Sequence, residues 1–360
     1  MRKILICFIL FFTEVQCREI IYLVRSSKAL LMGDAYTSLA NDDYTLFYNV
    51  GALGENDGFH IYPINPYVMT TNLIKSEDRD RLNSLNKNSV DDIVDSILGF
   101  PVLASGGINP GLKLGKFAFN LVLNGSARVN IRNATHPNAE IISRYDRGVI
   151  AGYAIDFKSG IGLTSIGLSA KYLWRDGQAG FYDLYGPTIY EDISDPDCGE
   201  ECIKNVLGHA SGNGWGWDMG LLHVTKFDEN SQFRFGLSFL DIGDTTFSGG
   251  VPAQEMLINT GISYLYRNGS FNWALSFDLH PINRLVEFGR QIHVGGEIGF
   301  DIVQVMAGFN GGYFSFGAEL DFKIIKAIAG IYDMEVGGGY QNQKAKRMLL
   351  YIGLLEIEFQ

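Results

Sequence analysis

Through most of this chain apolar and polar residues alternate with a period of two, in runs too long for an ordinary soluble sheet. In "KFAFNLVLNGSARVNIR" the alternation lasts more than a dozen residues, with Phe117 through Ile131 on one side and Asn120, Asn124, Arg128 and Arg132 on the other. "SQFRFGLSF" sets Phe233, Phe235, Leu237 and Phe239 against Gln232, Arg234 and Ser238. "SFNWALSFDL" sets Phe271, Trp273, Leu275, Phe277 and Leu279 against Asn272, Ser276 and Asp278. A period of two marks strands, and soluble strands usually stop after about five or six residues. Either the aromatic faces are buried in a sandwich, or they meet lipid on the outside of a transmembrane barrel.

Connection lengths separate the two. Short connections fall at Gly115-Lys116, Lys158 to Gly160, Phe227 to Asn230, Arg267 to Ser270, Phe300-Asp301 and Phe322-Lys323. Long ones alternate with them: "NATHPNAEIISRYD" after Arg132, "DGQAGF…GHASGNG" after Arg175, "GDTTFSGGVPAQ" after Ile242, "PINRLVEFG" after His280 and "GGGYQNQKA" around Gly337. The tight "NGG" at Asn310 to Gly312 is the exception. Short turns on one rim and long loops on the other belong to outer-membrane barrels, whereas a sandwich has no reason to sort its loops.

The reading is an all-β, transmembrane antiparallel β-barrel of about fourteen strands. They are expected near 58–67, 106–114, 116–131, 148–157, 162–175, 215–225, 231–241, 256–267, 270–280, 290–300, 302–309, 312–322, 325–336 and 347–359. The last, "LLYIGLLEIEFQ", is expected to turn Leu349, Tyr351, Gly353, Leu355, Ile357 and Phe359 outward. Its near-terminal aromatic resembles the signal read by the barrel-insertion machinery, which makes that machinery and membrane lipid expected partners. No run of about 18 apolar residues follows the first segment, so helical spans are not expected.

The chain starts "MRKILICFILFFTEVQC": a basic start at Arg2 and Lys3, an apolar run from Ile4 to Phe12, and a polar exit. That is the layout of a secretory signal peptide, residues 1–17, implying export to a Gram-negative-type outer membrane. Glu14-Val15-Gln16 lacks the apolar and small pattern that lipoprotein processing at Cys17 wants. Among the cysteines beyond it, Cys198 and Cys202 in "DPDCGEEC" read as a local disulfide pinning the long loop 176–214. No second cysteine pair accompanies them, so a metal site is not expected. The net charge of −11 argues against nucleic acid as a partner.

Two segments break the strand pattern. "SEDRDRLNSLNKNSVDDIVDSILG" has helical spacing (Leu82, Leu85, then Val90, Ile93, Val94, Ile97) and predicts a helical insert, 76–98, on the long-loop side and capping the mouth. "SSKALLMGDAYTSLANDDYTLFYNVGAL" (Ser26 to Leu53) mixes Gly33, Ala35, Ala40, Gly51 and Ala52 with three acids and no steady period. A barrel of this size encloses space that must be filled or left as a channel. Residues 18–56 are therefore expected inside it as a plug, with 57–360 forming the barrel. Asp34, Asp42 and Asp43 are expected to meet inward cations such as Arg128, Lys171, Arg175 or Arg234.

This segment also resembles the N-terminal hatch of the FadL-like outer-membrane superfamily, which includes long-chain fatty-acid transporters, PorV-type secretion components and TraF-type proteins. The family pattern runs Ala-(apolar)-Gly-Met-Gly-Gly-Ala, then Ala-x-Asp-Asp, then an aromatic pair and Asn-Pro-Ala-Gly-Leu. Here those positions are held by Ala29, Leu31, Met32, Gly33, Asp34 and Ala35, then Ala40, Asp42 and Asp43, then Phe47, Tyr48, Asn49 and Leu53. Asp34 replaces the second glycine, and Val50-Gly51-Ala52 replaces Pro-Ala-Gly. "GWGWDMGLL" and "GLSFLDIGDTTF" look like the TraF-type branch.

The resemblance implies a hatch-plugged barrel passing small hydrophobic or amphipathic molecules, without cofactor or enzymatic role. Candidate contacts are the hatch residues Met32, Gly33, Asp34 and Asn49. The inward cations Arg128, Arg132, Lys171, Arg175 and Arg234 are candidates to hold a carboxylate head group. The alternative is a PorV-like structural or secretion accessory whose loop 176–214 and helical insert bind an exported protein. A membrane hydrolase would need a nucleophile beside His280 and Asp278, or beside His293 and Glu297, and no serine at characteristic spacing accompanies them.

Overall fold

The computed structural model describes residues 19–83, 90–186 and 200–359. The expected signal peptide and Cys198 lie outside the described residues. Among those described, fourteen antiparallel strands close into a barrel. They are β1 (Phe59–Tyr62 continued by Pro66–Thr71), β2 (Val102–Ile108 continued by Gly111–Leu114), β3 (Phe117–Arg132), β4 (Asn138–Ser159) and β5 (Gly162–Asp183). They continue with β6 (Ala210–Lys226), β7 (Ser231–Leu240), β8 (Leu257–Asn268), β9 (Phe271–Leu279) and β10 (Ile292–Phe300). The last are β11 (Val303–Asn310), β12 (Tyr313–Asp321), β13 (Ile325–Glu335) and β14 (Lys344–Leu354 continued by Ile357–Phe359). Each pairs with its neighbour in sequence, and β14 returns to β1 through Tyr351 opposite Tyr67 and Phe359 opposite Phe59. Among the described residues no helix is long and apolar enough to cross a membrane.

Polarity is inverted relative to a water-soluble fold. Leu168, Trp217, Leu275, Val305 and Phe314 are all more than half exposed on the outer surface. The inward positions of the same strands carry buried Ser169, Lys171, Asp218, Ser276, Asp278 and Ser315. Aromatic side chains ring both ends of the apolar belt: Trp174 and Trp215 pack on Tyr172 toward the long loops, and Tyr264 and Tyr266 stack on Trp273 toward the short turns. Twelve residues separate the outward Tyr145 and Phe157 of β4, about 40 Å of strand and about 30 Å of depth at the tilt usual for such barrels. That matches a hydrocarbon core.

Strands β4 and β5 run well past the expected 148–157 and 162–175. The outward ion pair Arg147–Asp176 lies beside Tyr145, at the edge of the belt. Beyond it the outer face is covered by protein instead of lipid: Val94 and Ile97 of the helix Val90–Ile97 pack on Ile131, Ala139 and Ile141. The adjacent Ile141 and Ile142 are therefore both apolar, one under the helix and one in the interior, and the period-two signal disappears. The described parts of the helical insert thus include a helix lying against the outside of the rim, not across the mouth.

The final strand also departs from its expected facing. Leu349 and Tyr351 point inward and are buried, while Leu350 is outward. Leu355 takes a left-handed conformation (φ 59°), and the bulge it makes shifts the alternation by one, so that Ile357 and Phe359 do face outward.

Candidate functional site in the barrel interior

Residues 19–56 lie inside the barrel. Ser26 caps the helix Ser27–Leu31 by accepting from Ala29 N, and Asn49 caps the 3₁₀ turn Val50–Glu55 by accepting from Gly51 N. These short elements have no independent stability, and the wall holds them. Leu30, Leu31, Met32, Leu46 and Leu53 are almost wholly buried and join one apolar cluster with Val122, Ile150, Met306 and Ile328 of the wall.

Glycines in the wall make the seat. A Cβ at Gly308 would lie 2.0 Å from Gly33 N, one at Gly295 2.0 Å from Met32 O, and one at Gly220 2.2 Å from Asn49 Oδ1. Met32, Gly33 and Asn49 of the segment therefore touch bare backbone of β10, β11 and β6. Gly33 and Asp34 turn the chain here with φ 66° and 63°, a conformation glycine accepts freely and aspartate tolerates.

Polar groups of the wall finish the seat. Asp278 accepts from the backbone N–H groups of Tyr36 (2.9 Å) and Thr37 (2.7 Å). Ser315 Oγ accepts from Gly33 N and donates to Leu31 O. His280 and His293 stack at 3.7 Å. His280 Nε2 donates to Asp34 O (2.9 Å), so its Nδ1 accepts from the Tyr22 hydroxyl (2.7 Å). Both nitrogens of His293 face carbonyls, those of Gly33 (2.9 Å) and His280 (3.1 Å). These histidines and Asp278 are thus engaged in holding backbone of the N-terminal segment.

The hatch residues singled out from the sequence are all buried. Asn49 Nδ2 donates to Thr37 O and Leu221 O, and Asp34 accepts from the Tyr48 hydroxyl and lies 3.6 Å from Arg25. Asp42 accepts from the Tyr36 hydroxyl. Asp43 accepts from Asn65 Nδ2 (2.7 Å) and the Tyr351 hydroxyl (3.0 Å). Burial, reinforced by the charge of Asp42, pushes the Asp43 carboxyl up to about 7.

Each of the five cations singled out has an acidic partner, but not Asp34, Asp42 or Asp43. Lys171 lies between Asp218 (2.7 Å) and Asp241 (2.8 Å), and Arg175 holds Asp146 (2.5 Å). Arg132 pairs with Glu140, Arg234 with Glu55 and Arg128 with Glu19. Ladder register explains part of the difference: Arg175 and Asp146 are directly opposed on β5 and β4, so the wall neutralises this charge across one strand spacing, whereas Arg128 and Arg234 take Glu19 and Glu55 from the N-terminal segment. Burial would raise the carboxyl of Glu19, but Arg347 and Arg128 overcome it and bring it down to about 2. Cys202 is disulfide-bonded.

The segment divides the lumen. Toward the short turns three cavities of about 420, 290 and 220 Å³ share Asn41 and Arg267. Toward the long loops the described residues leave cavities of about 50 and 30 Å³. Sequence reasoning missed Asp278, Ser315, Gly295 and Gly308 as seat residues. Their inward strand parity was readable, but what they face was not.

No family model matches the chain, and no curated protein matches it. Among solved structures it is similar to the CymD monoaromatic hydrocarbon channel, at 10% identity and a TM-score of 0.49 over 91% of this chain and 97% of that one. It is similar to the Pseudomonas putida toluene transporter TodX at 10% identity and a TM-score of 0.46, over 91% and 96%. CdiB from Acinetobacter baumannii is matched at 12% identity and a TM-score of 0.37, over 84% of this chain and 60% of that one.

Proposed function

We propose that this barrel is an outer-membrane channel for small hydrophobic or amphipathic molecules, and that residues 19–56 are its gate. The observation that carries the reading is the noncovalent seat in a closed barrel, with separate cavities on its two sides. A segment held by packing, hydrogen bonds and ion pairs alone can leave its seat without disturbing the strand ladder, which carries the barrel's own hydrogen bonds. The apolar core of the segment (Leu30, Leu31, Met32, Leu46) supplies a greasy lining that an apolar solute would exchange for. Because the predicted cations are internally paired, a carboxylate head group would have to compete with Asp146, Asp218 or Glu19 at those positions.

Flux of a small aromatic hydrocarbon and ionic conductance, measured for protein reconstituted in liposomes and planar bilayers, test this. Deletion of 19–56 is expected to raise conductance at least tenfold. A deletion variant that inserts as a barrel and conducts no more than the intact protein removes the gate.

A second reading, an accessory that binds an exported protein, is favoured by the extension of β3 to β6 beyond the aromatic girdle, with a helix on its outer face. Deleting 184–209 would then block surface display of the partner while leaving flux unchanged.

A further inference from the structure

The cavity of about 50 Å³ on the long-loop side of the N-terminal segment runs against the charge of the chain. Arg25, Arg128, Arg144 and Arg347 line it with only two acids, Glu19 and Asp146, in a protein of net charge −11. Both acids are engaged. Glu19 is held by Arg347 in a two-pronged contact (2.8 and 2.6 Å), and Asp146 by Arg175 from behind.

Arg144 is left over. It is 9% exposed, and among the described residues it makes no salt bridge and one hydrogen bond, to the neutral Gln254 Oε1 (2.8 Å), which also accepts from Arg175. The buried Nε–H groups of Arg128, Arg144 and Arg347 have no hydrogen-bond acceptor. A buried guanidinium without a counter-charge is strongly disfavoured. Arg25, Arg128 and Arg347 have acids of their own in Asp34 and Glu19, so Arg144 is the guanidinium lining this cavity that a further anion would serve.

We propose that this cavity binds one small monovalent anion of halide size, bridging Arg144 and Arg128. The volume limits the class: a cavity of about 50 Å³ takes a few water-sized groups, which suits a halide or formate and not an acyl chain. The anion fastens the start of the N-terminal segment, through Arg25, to Arg128 and Arg144 of the wall. The site is independent of what the channel carries.

The test uses the full chain refolded in detergent, with the unfolding midpoint followed by the heat-dependent change in gel mobility. Sodium chloride, bromide and formate are each titrated against sodium gluconate at constant ionic strength. A saturable rise in midpoint with the small anions and none with gluconate is expected. Arg144→Gln should raise the half-saturating chloride concentration at least tenfold. Ser126→Val, which puts an apolar branch at the cavity, keeps every charge and removes the acceptor of Arg128 Nη1, should abolish the response, and this variant decides the matter if Arg144→Gln does not fold. Crystals soaked in bromide should show anomalous density between Arg144 and Arg128. Indistinguishable midpoints in chloride and gluconate, or a Ser126→Val protein that still responds to halide, overturn the proposal.

Discussion

At Asp43 one carboxyl reports the seating of the whole N-terminal segment. Its folded-state value of about 7 lies above the roughly 3.9 of a free aspartate. The folded chain therefore keeps a proton that the unfolded chain releases between those values. The stabilisation is complete below about pH 4 and is lost as pH rises through about 7. The unfolding midpoint should fall between pH 5 and pH 8, and Asp43→Asn should flatten that slope, as thermal denaturation in detergent at a series of pH values will reveal. Gly308 offers a test without charge. Alanine there puts a Cβ 2.0 Å from Gly33 N, so the segment must lift by more than an ångström. Gly308→Ala is expected to leave the barrel folded but increase both conductance and protease cutting within 26–53. An unchanged single-channel record would mean that this contact does not hold the gate shut.

Among the elements, the helix Val90–Ile97 and the long strands beside it form one unit outside the belt. Ile97 is 3% exposed, and replacing it by aspartate buries a charge against Ile131, at a cost of about 3 kcal/mol. Ile97→Asp should release 72–101 to limited proteolysis while the heat-modifiable mobility of the barrel persists. Inside, the opposed Asp146 and Arg175 are a buried pair on adjacent strands. Asp146→Asn strands a second guanidinium beside Arg144 and should cost about 3–5 kcal/mol of stability, read as a lowered denaturant midpoint. At this scale the sequence was legible wherever one face of a strand meets lipid and the other a polar lumen, as in 231–241 and 270–280. It was not legible at 139–142, where both faces are covered, nor at Leu355, where one left-handed residue swaps the faces of its strand.

For the whole molecule, the closed ladder and its filling are separable. Each strand finds its partners along the ring, so a chain lacking 19–56 is expected to insert and keep its heat-modifiable band. Its lumen, however, would lose the apolar cluster built by Leu30, Leu31, Met32 and Leu46. A deletion variant that fails to assemble at all would show that the segment is part of the folding core.

From its order of residues alone, the chain determined an antiparallel barrel of fourteen strands with short turns on one rim, because polarity with period two and the lengths of connections are local properties. That the small, acidic segment 26–53 is unlike a strand was equally plain. Which wall atoms meet it was decided only by closure. Gly308 and Gly33, or His293 and Gly33, lie more than two hundred residues apart, and nothing local couples them. The same is true of charge. Strand register matched Arg175 to Asp146 and set Arg144 opposite Gly177, while Arg128 and Arg234 found Glu19 and Glu55 of the N-terminal segment, pairings that exist only once the ring has closed around it.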